Sequence, residues 1–245
     1  MKIHLASIAI LSAILAPLSL HAEAGGHSFF AFDNGLTDIA SLDEKVSVIK
    51  ELGYDGIGWR TRQTADMLAA LDKKGLKMAS TYVSLKPKNG VCPVPAAVER
   101  EIDALKGRDT IVWLMIQGPK DALSDEEAVK TINSVADIAA RNGLQTVLYP
   151  HSNCFTSTAR ECMRLAKLVN RPDVNVSFNL CHFLAQNDPG DLEAVLRDVA
   201  PMLKLVSING ADNKGKSKIY PLGEGTFDMA RLLKALNEVS YTGPI

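Results

Sequence analysis

The sequence predicts an α/β chain folded as a (β/α)8 barrel of the TIM type, with the eighth unit incomplete at the C-terminus. Three observations predict it. Short apolar runs alternate with amphipathic stretches seven times along 245 residues, and an eighth run opens at 243–245. The runs lack the strict in–out alternation of a half-exposed sheet, as expected for parallel strands covered by helices. No G-x-G-x-x-G turn or G-x-x-x-x-G-K-[ST] loop follows any run, so nothing argues for an open nucleotide-binding sheet. Strands alternating with helices pair in parallel through right-handed crossovers.

The elements follow in order. The first run, 28–32, leads to Ser41-Leu-Asp-Glu44, whose hydroxyl and carboxylate can satisfy free N–H groups reciprocally. Leu42, Val46, Ile49 and Leu52 then share one helical face, and Gly53 ends the helix. Residues 54–59 form the second strand and 64–74 a helix closed by Gly75. The third and fourth strands, 76–85 and 110–116, flank a helix at 96–105. The clearest helix is 126–141, with Val129, Ile132, Val135, Ala136 and Ala139 on one side. Strands at 144–149, 174–178 and 203–208 are followed by helices at 158–169, 192–199 and 227–239. A closed barrel without its last helix would expose an apolar strip, so the stop at Ile245 reads as a fragment rather than an open barrel.

Residues 1–24 read as a signal peptide and 25–245 as one barrel domain. Lys2 precedes an almost wholly apolar run, 5–20, and the small residues Ala22 and Ala24 match what a signal peptidase accepts. Pro17 interrupts the run, which is shorter than the ~20 residues needed to span a bilayer. Cleavage near Ala24 and a periplasmic or secreted destination are expected, with no stable membrane insertion afterwards. Disulfides persist there. Cys92, Cys154, Cys162 and Cys181 have no C-x-x-C spacing. They read as four buried small residues; if any pair bridges, Cys154 with Cys181 is the choice, both lying just after successive strands. With 27 basic and 28 acidic residues and no basic cluster, no nucleic-acid partner is expected.

In such barrels the reactive groups gather at the C-terminal strand ends. The polar residues there are Asp33 and Asn34, then Trp59 and Arg60, Tyr82, and Gln117. They continue with Tyr149-Pro-His151, Asn179-Leu-Cys-His182 and Asn209-Gly-Ala-Asp212. Of the histidines after the signal, His27, His151 and His182, the last two follow neighbouring strands at the site end. Histidine serves as acid, base or metal ligand near neutral pH. Asp212 is placed to orient one histidine or to take a substrate hydroxyl. Arg60 and Trp59 suit a ligand with oxygens and an apolar ring face, although Trp59 suits core packing equally.

With Tyr-Pro-His, Asn-Leu-Cys-His and Asn-Gly-Ala-Asp after strands five, six and seven, the chain resembles the xylose-isomerase-like barrel superfamily. That superfamily contains sugar-phosphate isomerases and epimerases and endonuclease-IV-type enzymes. The resemblance spans essentially the whole mature chain, on short motifs. It implies a divalent metal held by Glu, Asp, His and Glu after strands five to eight. Here Tyr149, Asn179 and Asn209 stand at the first three positions, and the fourth lies beyond Ile245. His182 matches the family histidine three residues after the Asp, and Asp212 the acidic residue after strand seven. Hard divalent ions are held by anionic oxygens. With those carboxylates replaced, a divalent metal would have to rest on His151, His182 and a third oxygen.

The expected function is that of an exported sugar isomerase, epimerase or related keto-sugar lyase, moving a proton next to a carbonyl on a free or oxidised carbohydrate. His151, His182 and Asp212 are its catalytic candidates. Trp59, Arg60, Tyr82, Gln117, Tyr149, Asn179 and Asn209 are its substrate-binding candidates. The alternative is a catalytically inactive barrel serving as an exported carbohydrate-binding or interaction module, which the missing carboxylates motivate. A nuclease would need several zinc ions and far more His and acidic ligands.

Overall fold

The computed structural model describes residues 26–213 and 218–245; the expected signal segment lies outside them. Seven parallel strands run in the order β1 (Phe30–Phe32), β2 (Gly56–Arg60), β3 (Lys77–Leu85), β4 (Ile111–Ile116), β5 (Gln145–Leu148), β6 (Val174–Asn179) and β7 (Leu203–Ser207). Each pairs with the next in sequence. The last two residues then join the sheet to itself. The Val206 N–H donates to the Pro244 carbonyl at 3.2 Å. Ile245 donates to the Ser28 carbonyl at 2.9 Å and accepts from the Phe30 N–H at 2.9 Å. Pro244 and Ile245 therefore bridge β7 and β1 at the N-terminal end of the barrel. Above them, a groove of about 320 Å³ separates β1 from residues 207–209.

Helices cover the outside: α1 (Leu42–Glu51), α2 (Thr64–Lys74), α3 (Ala96–Asp103), α4 (Asp125–Arg141), α5 (Ala159–Val169), α6 (Leu180–Gln186), α7 (Leu192–Val199) and α8 (Met229–Glu238). Ser41 caps α1 as expected, accepting from the Glu44 N–H, and Ser124 and Thr158 cap α4 and α5 in the same way, accepting from Glu127 and Glu161. Such a cap contributes about 1 kcal/mol. Helix α6 was not expected. Asn179 ends β6 and caps this helix at once, its side chain accepting from the His182 N–H at 2.9 Å.

Burial divides by the period-two alternation of strand side chains. One apolar cluster lies between sheet and helices and includes Ile57, Trp59, Val112, Leu114, Val176 and Val206. A second fills the barrel interior with Phe30, Ile111, Trp113, Met115, Val147, Tyr149 and Leu205. Phe32, Tyr82 and Cys154 pack against it. At Gly58 an added Cβ would lie 2.9 Å from the Phe32 ring and 3.0 Å from Ser80 Oγ, so this inward position has room only for hydrogen.

The four cysteines carry thiols, and no disulfide joins Cys154 to Cys181. Cys92, Cys162 and Cys181 are buried as expected, whereas Cys154 is only half-buried; burial pushes the Cys92 and Cys162 thiols up in pKa. Among the described residues no helix is long and apolar enough to cross a membrane.

Candidate active site

A cavity of about 620 Å³ opens at the C-terminal ends of the strands. This is a common size for a small-molecule site. Its walls take Arg60, Tyr82, Gln117, Tyr149, His151, Asn179, His182 and Asn209 from among the expected residues. They also include Phe32, Asn34, Ser84, Trp113, Met115, Cys181 and Ser207. Among the described residues no Asp or Glu contributes to this lining.

The floor is aromatic. Trp113 and Tyr149 stack with ring centroids 3.8 Å apart. Tyr82 meets Tyr149 edge-on at 5.5 Å, and Phe32 meets Trp113 at 5.7 Å. The Trp113 indole donates to Ser177 Oγ at 2.7 Å, and Ser177 donates to the Leu148 carbonyl, so the buried polar atoms beneath the floor are paired. Burial holds both phenols protonated: Tyr82 is pushed up to about 12, and Tyr149 is raised further. Tyr149 Oη accepts from Asn179 Nδ2 at 3.3 Å. Asn179 Nδ2 also donates to Ser207 Oγ, at 2.5 Å. The Asn179 amide is thus engaged with protein on every side, holding Tyr149 and the start of α6 in place.

His151 and His182 lie over this floor with ring centroids 3.8 Å apart. His151 Nδ1 is 2.9 Å from the Ser152 carbonyl. A carbonyl only accepts, so this nitrogen carries a proton. Ser152 Oγ lies 2.9 Å from His182 Nδ1. Burial, and then the neighbouring His151, push His182 down to about 3, so it is neutral at neutral pH.

Arg60 reaches the rim, where its guanidinium donates to Asn34 Oδ1 at 2.6 Å. Its Nε lies 3.3 Å from Asp33 Oδ1, an ionic contact without hydrogen-bond alignment. Asp33 is only 3% exposed, and burial raises its pKa against the pull of Arg60. Gln117 donates to Ser84 Oγ at 2.7 Å. Asn209 turns its amide back to the Gly210 carbonyl at 2.7 Å.

Two expected residues lie elsewhere. Trp59 points outward into the layer between sheet and helices, 1% exposed, its indole donating to the Arg62 carbonyl. Its neighbours Gly58 and Arg60 take the inward positions on β2. Asp212 does not line the cavity. Its carboxylate accepts from Tyr220 Oη at 2.9 Å and from the Thr226 N–H, which lower its pKa, and it fastens the loop after β7. The residues missed, Trp113, Met115, Ser84 and Ser207, share inward parity with Gln117, Tyr82 and Asn209. Alternation traced back from each strand end would have found them.

The donors do not fit a hard divalent ion. Among the described residues no three His, Cys, Asp or Glu side chains converge as a metal site. Tyr149 and Asn179 present neutral oxygens already engaged with protein, and Asn209 ties its amide nitrogen to the Gly210 carbonyl and has no charge to offer. His151 Nδ1 and His182 Nδ1 are both tied to Ser152.

Seven parallel strands curled about an aromatic-floored cavity at their C-terminal ends define a TIM-type barrel. The chain belongs to the xylose isomerase-like TIM barrel family, whose pattern matches residues 46–245. No curated protein matches the sequence. Among solved structures, it is similar to a 3-keto-D-glucoside 4-epimerase from E. coli, at 20% identity over 89% of this chain and 90% of that one, TM-score 0.69. A D-psicose 3-epimerase is 17% identical over 89% and 83% of the two chains, TM-score 0.67. A family 2 AP endonuclease from Brucella melitensis is 19% identical over 89% and 91%, TM-score 0.66. At these identities the likeness is one of fold, and that fold is shared with sugar epimerases and isomerases.

Proposed function

We propose that the chain is a sugar isomerase- or epimerase-like enzyme, or a related keto-sugar lyase, acting on an uncharged free or oxidised carbohydrate. The observation that carries this reading is the His151–His182 pair stacked over the Trp113–Tyr149 floor. Stacked rings suit the apolar face of a sugar. Among the described residues the one ionised side chain in the lining, Arg60, is already balanced by Asp33, which favours a substrate without phosphate or carboxylate.

His151 is the group that moves the proton. Its Nδ1–H is fixed on the Ser152 carbonyl, and Nε2 accepts from a carbon next to the sugar carbonyl. Tyr149, whose oxygen already accepts from Asn179, keeps its own proton to donate to the oxygen on which charge develops. His182 stays neutral and holds Ser152. Incubation of the protein with 3-keto-glucosides and with ketohexoses in heavy water is expected to wash deuterium into one carbon, read by proton NMR. Substituting His151→Ala is expected to slow that exchange by about 10²–10⁴-fold. Equal exchange in wild type and variant would overturn the assignment.

The lining without a carboxylate favours a second reading, a barrel that binds carbohydrate without turning it over. Calorimetric binding of the same sugars with no deuterium incorporation would select it. We also propose that the protein is exported and cleaved near Ala24, on the strength of Lys2, the apolar run at 5–20, and Ala22 and Ala24. N-terminal sequencing of protein from the periplasm or medium is expected to begin near Gly25; an intact Met1 in the cytoplasm would refute it.

A further inference from the structure

The rim of the cavity carries a cation whose counter-ion is kept out of the wall. Arg60 ends β2 and lines the cavity, its side chain 41% exposed. Asp33 follows β1 directly and is only 3% exposed. Its neighbours Phe32 and Asn34 both belong to the lining, and Asp33 does not. Its Oδ1 stands 3.3 Å from Arg60 Nε and has no hydrogen-bond partner. Asn34 Oδ1 accepts from Arg60 Nη2 at 2.6 Å. Nε and Nη2 are thus turned to protein, and among the described residues Nη1 has no partner. Lys45 and Arg62 also draw on the Asp33 charge, but neither lines the cavity. The Lys45 ammonium donates to the Leu36 carbonyl, and the Arg62 guanidinium lies 5.5 Å from the centre of the Trp59 ring, in the outer layer.

We propose that Asp33 is a specificity-determining residue: it makes Arg60 a receptor for uncharged sugar oxygens and closes the site to uronates and sugar phosphates. The inference rests on the cavity being the carbohydrate site proposed above, and it names the sugars that site rejects. A guanidinium offers five N–H donors in a fixed fork, which takes carboxylate or phosphate two bonds at a time. With Asn34 on Nη2 and Asp33 beside Nε, that side of the fork is occupied, and Nη1 is left for a hydroxyl or carbonyl oxygen. A carboxylate in the wall would itself accept from sugar hydroxyls. Placed behind the guanidinium, Asp33 acts on a ligand only through the charge and orientation of Arg60. Removing one charge this close to a partly solvated site changes the affinity for an anion by about tenfold.

The test is a calorimetric and NMR titration of the full chain and of Asp33→Asn, which keeps the shape of the side chain and removes its charge. Inorganic phosphate, D-glucuronate and D-glucose are the probes, and the Arg60 Nε–H resonance locates the contact. Asp33→Asn is expected to bind phosphate and D-glucuronate about tenfold more tightly than wild type, with a shift of the Arg60 resonance and a loss of the gain at high salt. D-Glucose is expected to show no comparable gain. The gain is expected to vanish in the double variant Asp33→Asn, Arg60→Gln. Circular dichroism checks each fold, and Asp33→Ala carries the comparison if Asp33→Asn does not fold. Equal anion affinity in wild type and variant, a gain that survives the loss of Arg60, or an equal gain for D-glucose would overturn the assignment. Phosphate binding requires no sugar chemistry, so its response separates a failure of this role from a failure of the proposed reaction.

Discussion

Replacing Trp113 with alanine is expected to cost the fold about 3–5 kcal/mol. The side chain is 1% exposed and central to the cluster inside the barrel. Its removal deletes the stack on Tyr149, the edge contact with Phe32 and the hydrogen bond to Ser177. Aromatic pairs contribute about 0.5–1.5 kcal/mol beyond their buried area, so this site lies at the upper end of core truncations. A cavity left here would open directly under the proposed sugar platform. Urea unfolding followed by circular dichroism at 222 nm measures the loss. Trp113→Phe, which keeps most of the ring area but leaves Ser177 without its donor, is expected to lose about 1–2 kcal/mol. A loss below about 1 kcal/mol in the alanine variant would show that the aromatic floor is not packed as described.

The second large effect is acid sensitivity centred on His182. Its pKa falls from 6.5 in the unfolded chain to about 3 in the fold, chiefly through burial. Below pH 6.5 the unfolded chain therefore binds a proton that the folded chain refuses, and stability falls as pH falls. The contribution is fully present above the unfolded value and drains away down to the folded one. At pH 4.5 the loss from this residue amounts to about 2–3 kcal/mol, at ~1.4 kcal/mol per pH unit. The carboxylates held down by arginines begin to contribute only at lower pH: Glu193, paired with Arg231, starts from an ordinary value of 4.5. Burial of Asp33 acts with the opposite sign in the same interval, so it is the comparison with a His182 variant between pH 6.5 and 4.5 that isolates the histidine. Wild type should lose urea resistance across that interval, and His182→Gln should lose about 2 kcal/mol less. Parallel pH profiles for the two proteins would contradict the burial described for this ring.

The architecture was legible because its signals are local and repeated. Ser41 announces a helix start, and each apolar strand run fell within a residue or two of its place. Helix α6 was hidden because Leu180–Gln186 is only seven residues long, too short for its spacing to stand apart from the apolar end of β6. The site was legible at its rim and obscure at its depth. Reading only strand ends located Arg60, Tyr82, Tyr149, His151 and His182, which do line one cavity. It passed over Trp113 and Met115, which sit deeper on β4 at the same parity as Gln117. The same habit admitted Trp59, one step out of phase with Arg60. Asp212 could not be sorted this way, since it lies past the strand, where alternation ends. Its partners Tyr220 and Thr226 come from later in the same loop.

Gly58 has a consequence for how this cavity could be reshaped. Because that position offers bare backbone, the Phe32 ring can lean across the interior to meet both Tyr82 and Trp113. A methyl group there would press on the Phe32 ring and on Ser80 Oγ, and a displaced Phe32 would alter the width of the entrance. Trimming Phe32 itself would widen the same entrance. The bore of this vessel is thus set by a pair of positions on adjacent strands, one furnished and one empty, and selection for larger or smaller guests would act on that pair before it acted on the histidines.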